Sequence, residues 1–342
     1  AGGRTTHAGN GFNALCLHPD PQHPQGFSDG NQNGALLYGI RYSNTGAVDK
    51  NNDKDAACAL CQLDAPGDVY VQWGRSNSCS NTHTTLYSGF VMAYHHTQSK
   101  SEFVCVDPER AYHPQSSISE NDGGRWYTTE TEAGAMDENK YPLNREVGCS
   151  VCLAPEKVFV HWGSNSCANG SSTLYAGIAA GSRYNHAGGG ANTVCLHTSP
   201  QHPEGFNDGD QNGALLYGVE YENTGAVDGQ ATNRDAACAV CQTDSPGDVY
   251  VQWGRSISCT NGHTTLYTGL VMAEKRTHQR SEFVCVDPHR AHHVQLDIGN
   301  NHGQLWYTTE AEGGAMDENK YPSNREIGCT VCFAPKQVFV HW

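Results

Sequence analysis

The chain has 342 residues, a formal net charge of −15, and a composition rich in glycine and poor in methionine. The negative charge disfavours binding to nucleic acid or anionic lipid, because both need a basic protein surface. No apolar stretch is long enough to span a bilayer, so the sequence predicts no membrane insertion. Residues 1–13 contain no apolar signal core, and we therefore read the chain as already processed.

The predicted elements are short strands separated by turns rich in Gly, Asn, Asp and Pro. In chain order, the first half contains a cysteine-centred strand at 14–18, an alternating strand at 68–73, a Leu-Tyr-x-Gly strand at 86–89, a second cysteine-centred strand at 103–107 and a second alternating strand at 158–162. Apolar side chains recur with period two in the alternating strands, as in strands buried on one face. No long segment has a helical period. The sequence therefore predicts an all-β fold.

The same elements return further along the chain. The segment at 69–79 recurs at 249–259, and the segment at 134–152 recurs at 314–332, with few substitutions. A weaker repeat within each half is marked by Trp-ending strands spaced 89, 91 and 89 residues apart. These strands end at Trp73, Trp162, Trp253 and Trp342.

Self-similarity at a fixed period is typical of tandem modules. We therefore predict disulfide-stapled β modules in four pseudo-repeats of about 90 residues, arranged in two homologous halves, 1–162 and 163–342. The predicted repeats are 1–72, which is incomplete at its N-terminus, 73–161, 162–252 and 253–342.

Cysteine spacing is the strongest signal in the composition. The 15 cysteines are Cys16, Cys58, Cys61, Cys79, Cys105, Cys149, Cys152, Cys167, Cys195, Cys238, Cys241, Cys259, Cys285, Cys329 and Cys332. Such density is typical of an oxidising compartment, so we expect a secreted, extracellular protein. Zinc ribbons are the alternative interpretation of the CxxC pairs.

We expect bonds within each repeat, with the two cysteines of each CxxC pair bonded to different distant partners. Because the cysteine number is odd, one thiol remains unpaired or bonds to another chain, which would give a disulfide-linked homodimer. The sequon Asn169-Gly170-Ser171 predicts N-glycosylation at Asn169.

The set of motifs VYVQWGRS, LYxG, AGGGAN, GALLYG, CAVC and SEFVCVD resembles a known group. It is similar to the C-terminal module of the short-chain, C4-like collagens of sponges and other invertebrates, which also occurs in secreted molluscan and cnidarian proteins. The resemblance covers essentially the whole chain, about twice over. It implies an extracellular disulfide-linked β module of matrix or recognition proteins, a molluscan lectin among them, and no active site. The chain has no Gly-X-Y tract, so a collagen triple helix is excluded.

One candidate binding feature is the loop at 29–34 and its copy at 208–213. Oxygen-bearing side chains at alternate positions, closed by Gly, match the start of a calcium loop. The candidate ligands are Asp29, Asn31, Asn33, Asp208, Asp210 and Asn212. The bidentate Glu of an EF-hand is absent, because its position holds Ile40 or Val219. A polar hairpin turn is the alternative, so calcium is an optional ligand and no cofactor is required.

A second candidate is a Pro-stiffened loop that carries two His side chains in each half. Imidazoles in such a loop suit a metal, a sugar hydroxyl or a carboxylate, and a rigid surface loop without a ligand is the alternative. With the neighbouring acidic residues, the predicted ligand-binding residues are His18, Gln22, His23, Asp29, His197, Gln201, His202 and Asp208.

A third candidate combines Arg110 with Trp126, and Arg290 with Trp306. An aromatic face covers the C–H groups of a sugar, and a guanidinium group pairs with hydroxyls or with the carboxylate of an acidic sugar. The alternative is that both Trp residues belong to the core.

Enzymatic motifs do not occur: the sequence has no GxSxG, no HExxH and no phosphate loop. We therefore expect no catalysis. The preferred hypothesis is a secreted tandem-repeat lectin with several equivalent sites that cross-links glycans, with galactose-type or acidic sugars as ligands. The alternative is a structural extracellular-matrix or adhesive protein cross-linked by disulfides.

Overall fold

The computed structural model describes residues 1–9, 11–17, 19–22, 35–43, 54–111, 123–132, 136–205, 213–222, 233–292, 303–312, 317 and 319–340. Within these residues every regular element is a β-strand. A search of the same residues finds no helix with the length and apolar character needed to cross a membrane. The prediction of an all-β, disulfide-stapled fold is confirmed.

The strands fall into an N-terminal segment, residues 1–63, and three modules defined by strand pairing. The N-terminal segment contains β1 (Ile40–Tyr42). Module I, residues 68–154, contains β2 (Asp68–Trp73), β3 (Thr84–Ala93), β4 (Val104–Val106), β5 (Gly124–Thr131) and β6 (Gly148–Ala154). Module II, residues 158–243, contains β7 (Val158–Trp162), β8 (Ser171–Gly181), β9 (Val194–His197), β10 (Ala214–Tyr221), β11 (Arg234–Asp235) and β12 (Ala237–Thr243). Module III, residues 248–334, contains β13 (Asp248–Trp253), β14 (Thr264–Ala273), β15 (Val284–Val286), β16 (Gln304–Thr308), β17 (Glu310–Ala311), β18 (Arg325–Glu326) and β19 (Gly328–Ala334).

Each module places its CxxC strand in the middle of an antiparallel sheet. In module I, β6 lies between β2 and β3, and β12 and β19 hold the same position in modules II and III. Each of these strands is paired along both edges, and β6, β12 and β19 are almost entirely buried. Strand β2 pairs with β6 across the repeat boundary predicted at residue 73, and the division into four repeats stays a prediction.

The disulfides follow the expected rule. In module I, Cys149 bonds to Cys105 and Cys152 bonds to Cys79, so the two CxxC cysteines have different distant partners. The remaining bonds are Cys16–Cys58, Cys167–Cys241, Cys195–Cys238, Cys259–Cys332 and Cys285–Cys329. In the three modules the bonds fasten the central strand to a neighbouring strand or turn, which limits the freedom of the unfolded chain.

Cys61 is the one cysteine without a disulfide partner, and it is exposed. In the three modules the second CxxC cysteine bonds to a cysteine 73 or 74 residues earlier. The odd thiol predicted from the cysteine count is Cys61.

Consecutive modules join through parallel strands. Strand β5 pairs with β1 at one end and with β10 at the other, and β10 pairs in turn with β16. The Trp that ends β2 pairs with β9 of module II, and the Trp that ends β7 pairs with β15 of module III. The same head-to-tail contact is thus made twice along the chain.

A tight turn after each Trp makes this contact fit. Gly74, Gly163 and Gly254 have φ angles of +86°, +78° and +83°. This is the left-handed region, where glycine carries no steric penalty. A Cβ on Gly163 would also stand 2.9 Å from Val286 of the next module. The repeated Trp-Gly dipeptide is therefore required by the joint between modules.

Much of the apolar core lies between modules. One cluster joins Tyr141 and Val91 of module I to Ile178, Leu196 and Leu216 of module II. A second cluster extends from module I through module II to Trp306 of module III. Modules of this size bury little surface alone, so stacking supplies the rest of the core.

Candidate functional site

Several residues predicted from the sequence lie outside the described residues. They are His18, His23, Asp29, Asn31, Asn33, Asp208, Asp210 and Asn212. Gln22 is described and exposed. The calcium loop and the first His loop therefore stay predictions.

His197 lies in the joint between modules I and II. Its Nδ1 accepts a hydrogen bond from the Ser199 N–H at 2.9 Å, and its Nε2 lies 3.3 Å from Ser80 Oγ. The ring also packs on Tyr175, with centroids 4.6 Å apart. Burial, helped by the charge of Arg75, lowers the pKa of His197 to about 4, so the imidazole is neutral near pH 7.

Gln201 and His202 belong to the same joint. Gln201 Oε1 accepts a hydrogen bond from the Asn77 N–H at 3.2 Å. The two ring nitrogens of His202 each lie 3.2 Å from a backbone carbonyl of module I, those of Glu146 and Lys140. These polar side chains hold two modules together in the structure, and ligand binding by them stays a prediction.

The Arg–Trp pairs are packed inside the protein. Trp306 is completely buried, with its ring edge-on to Trp162 at a centroid distance of 5.8 Å. Arg110 is 5% exposed and lies over the ring of Phe90 at 4.8 Å, and burial lowers its pKa.

Arg290 is also 5% exposed, and Trp126 is half-buried against Tyr42. The alternative left open by the sequence, in which both Trp residues belong to the core, matches this geometry. Trp306 presents no face to a ligand here.

An outer cleft lies where modules I and II meet. Its volume is about 670 Å³. Hydroxyl, amide and imidazole groups from both modules converge on it: Asn81, Thr82, His83 and Thr84 from module I, and Ser172, Thr173 and Gln242 from module II. Apolar surface is supplied by Pro66, Leu153, Pro155 and Leu174. None of the described residues that line the cleft is an acid, a lysine or an arginine.

The turn before β3 builds one wall of this cleft. Asn81 and Thr82 both have positive φ angles, 56° and 59°, which reverse the chain sharply. The reversal lets Asn81 Nδ2 donate to the Leu174 carbonyl of module II at 3.0 Å. The turn is thereby fixed to the opposite wall, so the cleft has a defined shape.

His83 is the best-positioned polar group of the cleft. Its Nδ1 lies 2.9 Å from the hydroxyl of Tyr70, whose pKa burial raises to about 12. Burial lowers the pKa of His83, while a hydrogen bond with the Gln242 side chain opposes the shift. Because Nδ1 is paired with Tyr70, the imidazole has only Nε2 left to pair with a hydroxyl-bearing ligand.

Module III repeats this arrangement without the second wall. The Tyr250 hydroxyl lies 2.7 Å from His263 Nδ1, and the rings meet edge-on as Tyr70 and His83 do. None of the described residues that line the cleft belongs to module III. His263 is therefore a natural control for His83.

The predicted glycosylation site occupies the turn of module II that corresponds to Asn81. Asn169 is exposed, with a φ of 53°, and its Nδ2 donates to the Leu266 carbonyl of module III at 2.9 Å. The amide that a glycan would modify thus also contacts the next module.

An inner cavity of about 1250 Å³ lies where the loops after β3, β8 and β14 approach residues 5–12. Its apolar lining includes Phe12, Trp253 and Phe283, and its ionisable lining includes Lys100 and Glu282. Burial raises the pKa of Glu282 to about 7. A search of the described residues for groups of three or more metal-ligating side chains found none.

No protein-family model matches the chain, and no curated protein is similar to it. The resemblance to the collagen-related module therefore stays a prediction. The sequence did not predict the outer cleft, because the residues of its two walls are about 90 positions apart along the chain. They come together only when the modules pack against each other. The recurrence of His-Thr-Thr at 83–85 and 263–265 was the available signal.

Proposed function

We propose that the protein is a secreted, non-enzymatic carbohydrate-binding protein whose binding site is the outer cleft between modules I and II. The observation that carries the proposal is the convergence of His83, Asn81 and Gln242 with hydroxyl side chains in a cleft of about 670 Å³. Ligand pockets typically measure about 300–1,000 Å³ and combine apolar walls with a few placed polar groups. Seven disulfides are consistent with an extracellular location.

The chemistry of the cleft favours a neutral sugar over an acidic one. Hydroxyl, amide and imidazole groups pair with sugar hydroxyls in both donor and acceptor roles. Leu153 and Leu174 offer apolar surface to the C–H groups of a pyranose ring. The described residues that line the cleft include no lysine or arginine, which would pair with the carboxylate of an acidic sugar.

A glycan array tests this proposal. The wild-type chain, His83→Ala and His263→Ala are compared with and without EDTA. We expect His83→Ala to lose binding at least about tenfold, as removal of a charged or well-placed polar partner does. His263→Ala removes the same kind of Tyr–His pair and should keep wild-type binding. Equal signals from the two variants, or no signal from the wild type, would exclude the cleft as a sugar site.

A structural or adhesive role in the extracellular matrix is the second candidate. It is favoured by Cys61, an exposed thiol available for a bond to another chain. Agglutination that a simple sugar inhibits would support the lectin. Disulfide-linked polymers without agglutination would support the matrix protein.

A further inference from the structure

The inner cavity is a second concave site, separate from the outer cleft. It has a volume of about 1250 Å³, and the N-terminal segment and all three modules contribute to its lining. None of the described residues lines both sites. Ligand pockets typically measure about 300–1,000 Å³, so the inner cavity is large enough for a small organic molecule.

Hydrogen bonds between the parts of the chain hold the walls of this cavity together. The Ser99 N–H donates to the Thr5 carbonyl at 2.9 Å, which joins module I to the N-terminal segment. Glu282 Oε1 accepts from the Thr193 N–H at 2.5 Å, which joins module III to module II. The Ala191 N–H of module II donates to a carbonyl of module I at 2.6 Å. A ligand would therefore enter a site that is already formed, which lowers the entropic cost of binding.

One wall of the cavity is apolar and remains in contact with water. Phe12, Trp253 and Phe283 line it and are 43%, 50% and 60% exposed. Val271 and Ile327 of module III extend the same wall. Removing apolar surface from water is favourable in proportion to its area, and exposed apolar surface of this kind is typical of binding sites. The wall therefore favours a ligand with an apolar body.

The charged groups of the cavity favour an anion over a cation. Among the described lining residues, Lys100 and Arg280 are cationic and Glu282 is the single acid. The Glu282 carboxyl group already accepts the hydrogen bond from module II, and burial raises its pKa to about 7. Near neutral pH this group therefore carries only part of a negative charge.

Lys100 is the cation best placed to receive an anionic group. Among the described residues, its ammonium group forms no hydrogen bond or close ion pair, and only the field of Glu274 opposes the lowering of its pKa by burial. Both oxygens of Glu274 already have partners, His278 Nδ1 and the Leu305 N–H, each at 2.8 Å. A cation shielded from water is costly without a counter-ion, so an anion beside Lys100 would be stabilised.

We propose that the inner cavity binds a small amphiphilic anion, with a carboxylate beside Lys100 and an aliphatic body against Trp253 and Phe283. An ammonium–carboxylate hydrogen bond is charge-assisted, and the aliphatic body covers the apolar wall. A neutral sugar, the ligand proposed for the outer cleft, has neither the charge nor the apolar body. The two sites therefore take different ligands, and either proposal can fail without the other.

Isothermal titration calorimetry tests the proposal with three ligands that share a ten-carbon chain and differ in the head group: decanoate, decan-1-ol and decylammonium. We expect decanoate to bind at one site per chain, at least about tenfold more tightly than the other two, because only the carboxylate pairs with Lys100. Equal affinities, tighter binding of decylammonium, or no binding of decanoate would overturn the proposal.

Lys100→Met removes the charge and keeps most of the length of the side chain. It should weaken decanoate binding at least about tenfold and leave decan-1-ol binding unchanged. Lys336→Met, at an exposed site outside the cavity, makes the same change in net charge and should bind as the parent does. Unchanged decanoate binding by Lys100→Met, or an equal loss in both variants, would overturn the assignment of the head group.

Phe283→Ser tests the apolar wall. The side chain is largely exposed, so the variant should keep the melting temperature of the parent. It should weaken decanoate and decan-1-ol alike, by about fivefold, because both lose the same apolar contact. Phe339→Ser, at a site 85% exposed and outside the cavity, is the matched control and should bind both ligands as the parent does. Full binding of decanoate by Phe283→Ser would overturn the placement of the aliphatic body.

Discussion

Trp162 of module II packs edge-on against Trp306 of module III, with ring centroids 5.8 Å apart. Trp162 ends β7 of module II, and Trp306 lies in β16 of module III, which pairs in parallel with β10. Their contact places the core of the protein at a joint between modules. The stability of the fold therefore depends on the joints between modules.

Replacing Trp306 by Ala should destabilise the protein by about 3–5 kcal/mol, the cost of removing a buried aromatic side chain and leaving a cavity. Trp253→Ala should cost less than about 1 kcal/mol, because half of that side chain is already exposed in the single chain. Urea unfolding at low protein concentration measures both values. Equal losses would mean that Trp306 does not hold the module II–III joint.

The hydrogen bond from Asn81 to Leu174 should stabilise the module I–II joint. Asn81→Gly keeps the positive φ accessible but removes the side-chain amide, so we expect a loss of about 1 kcal/mol. Asn261→Gly is the matched control, since Asn261 has a φ of 57° in the same turn of module III and its side chain donates no hydrogen bond to another module among the described residues. Its unfolding free energy should change by a few tenths of a kcal/mol at most. A loss at Asn261 as large as that at Asn81 would contradict an inter-module role.

Cys61 should be the single reactive thiol. Titration with a thiol reagent should detect one group per native chain and the same number after unfolding without reductant. Cys61→Ser should reduce the count to zero. Peptide mapping should recover Cys105 linked to Cys149 and Cys79 linked to Cys152. Additional thiols, or bound zinc, would contradict the disulfide framework.

Acid should destabilise the module I–II joint through His197. Its folded pKa is about 4, below the ordinary value of 6.5, so the unfolded chain binds more protons between those values. The free energy of unfolding should be fully retained above pH 6.5 and should fall as the pH decreases toward about 4. Urea titrations at several pH values measure this slope. His197→Asn should flatten it, whereas His289→Asn, at an exposed site, should keep it.

Parts of the fold could be predicted from local pattern. The Val-Tyr-Val-Gln-Trp segments form β2 and β13, as their alternation predicts, but the face expected to be buried is not the buried one in β2, where Tyr70 and Gln72 are buried and Val69 is 46% exposed. The different partners of Cys149 and Cys152 were also predictable. Residues three positions apart on a strand point to opposite faces, so the two thiols of a CxxC pair lie on opposite sides of β6.

The candidate site was not predictable in this way. His202 and Trp306 were chosen for their chemistry, yet both are used in joints that no single repeat contains. No sequence motif marks His83 as a binding residue, because Ser172 and Gln242, which line the cleft with it, belong to a different module. The type of a side chain indicates what it can bind, whereas the packing of the modules determines which groups lie beside it.

The sequence by itself determined the all-β class, the disulfide dependence and the identity of the repeated Trp strands. These properties follow from period-two patterning, cysteine spacing and self-similarity, all of which are local or periodic along the chain. Only the tertiary structure decided that Trp73 and Trp162 are half-buried while Trp253 is 50% exposed, and that polar turns of two modules form a cleft. The physical reason is that burial is a property of neighbours in space, so identical segments differ in exposure when their spatial neighbours differ.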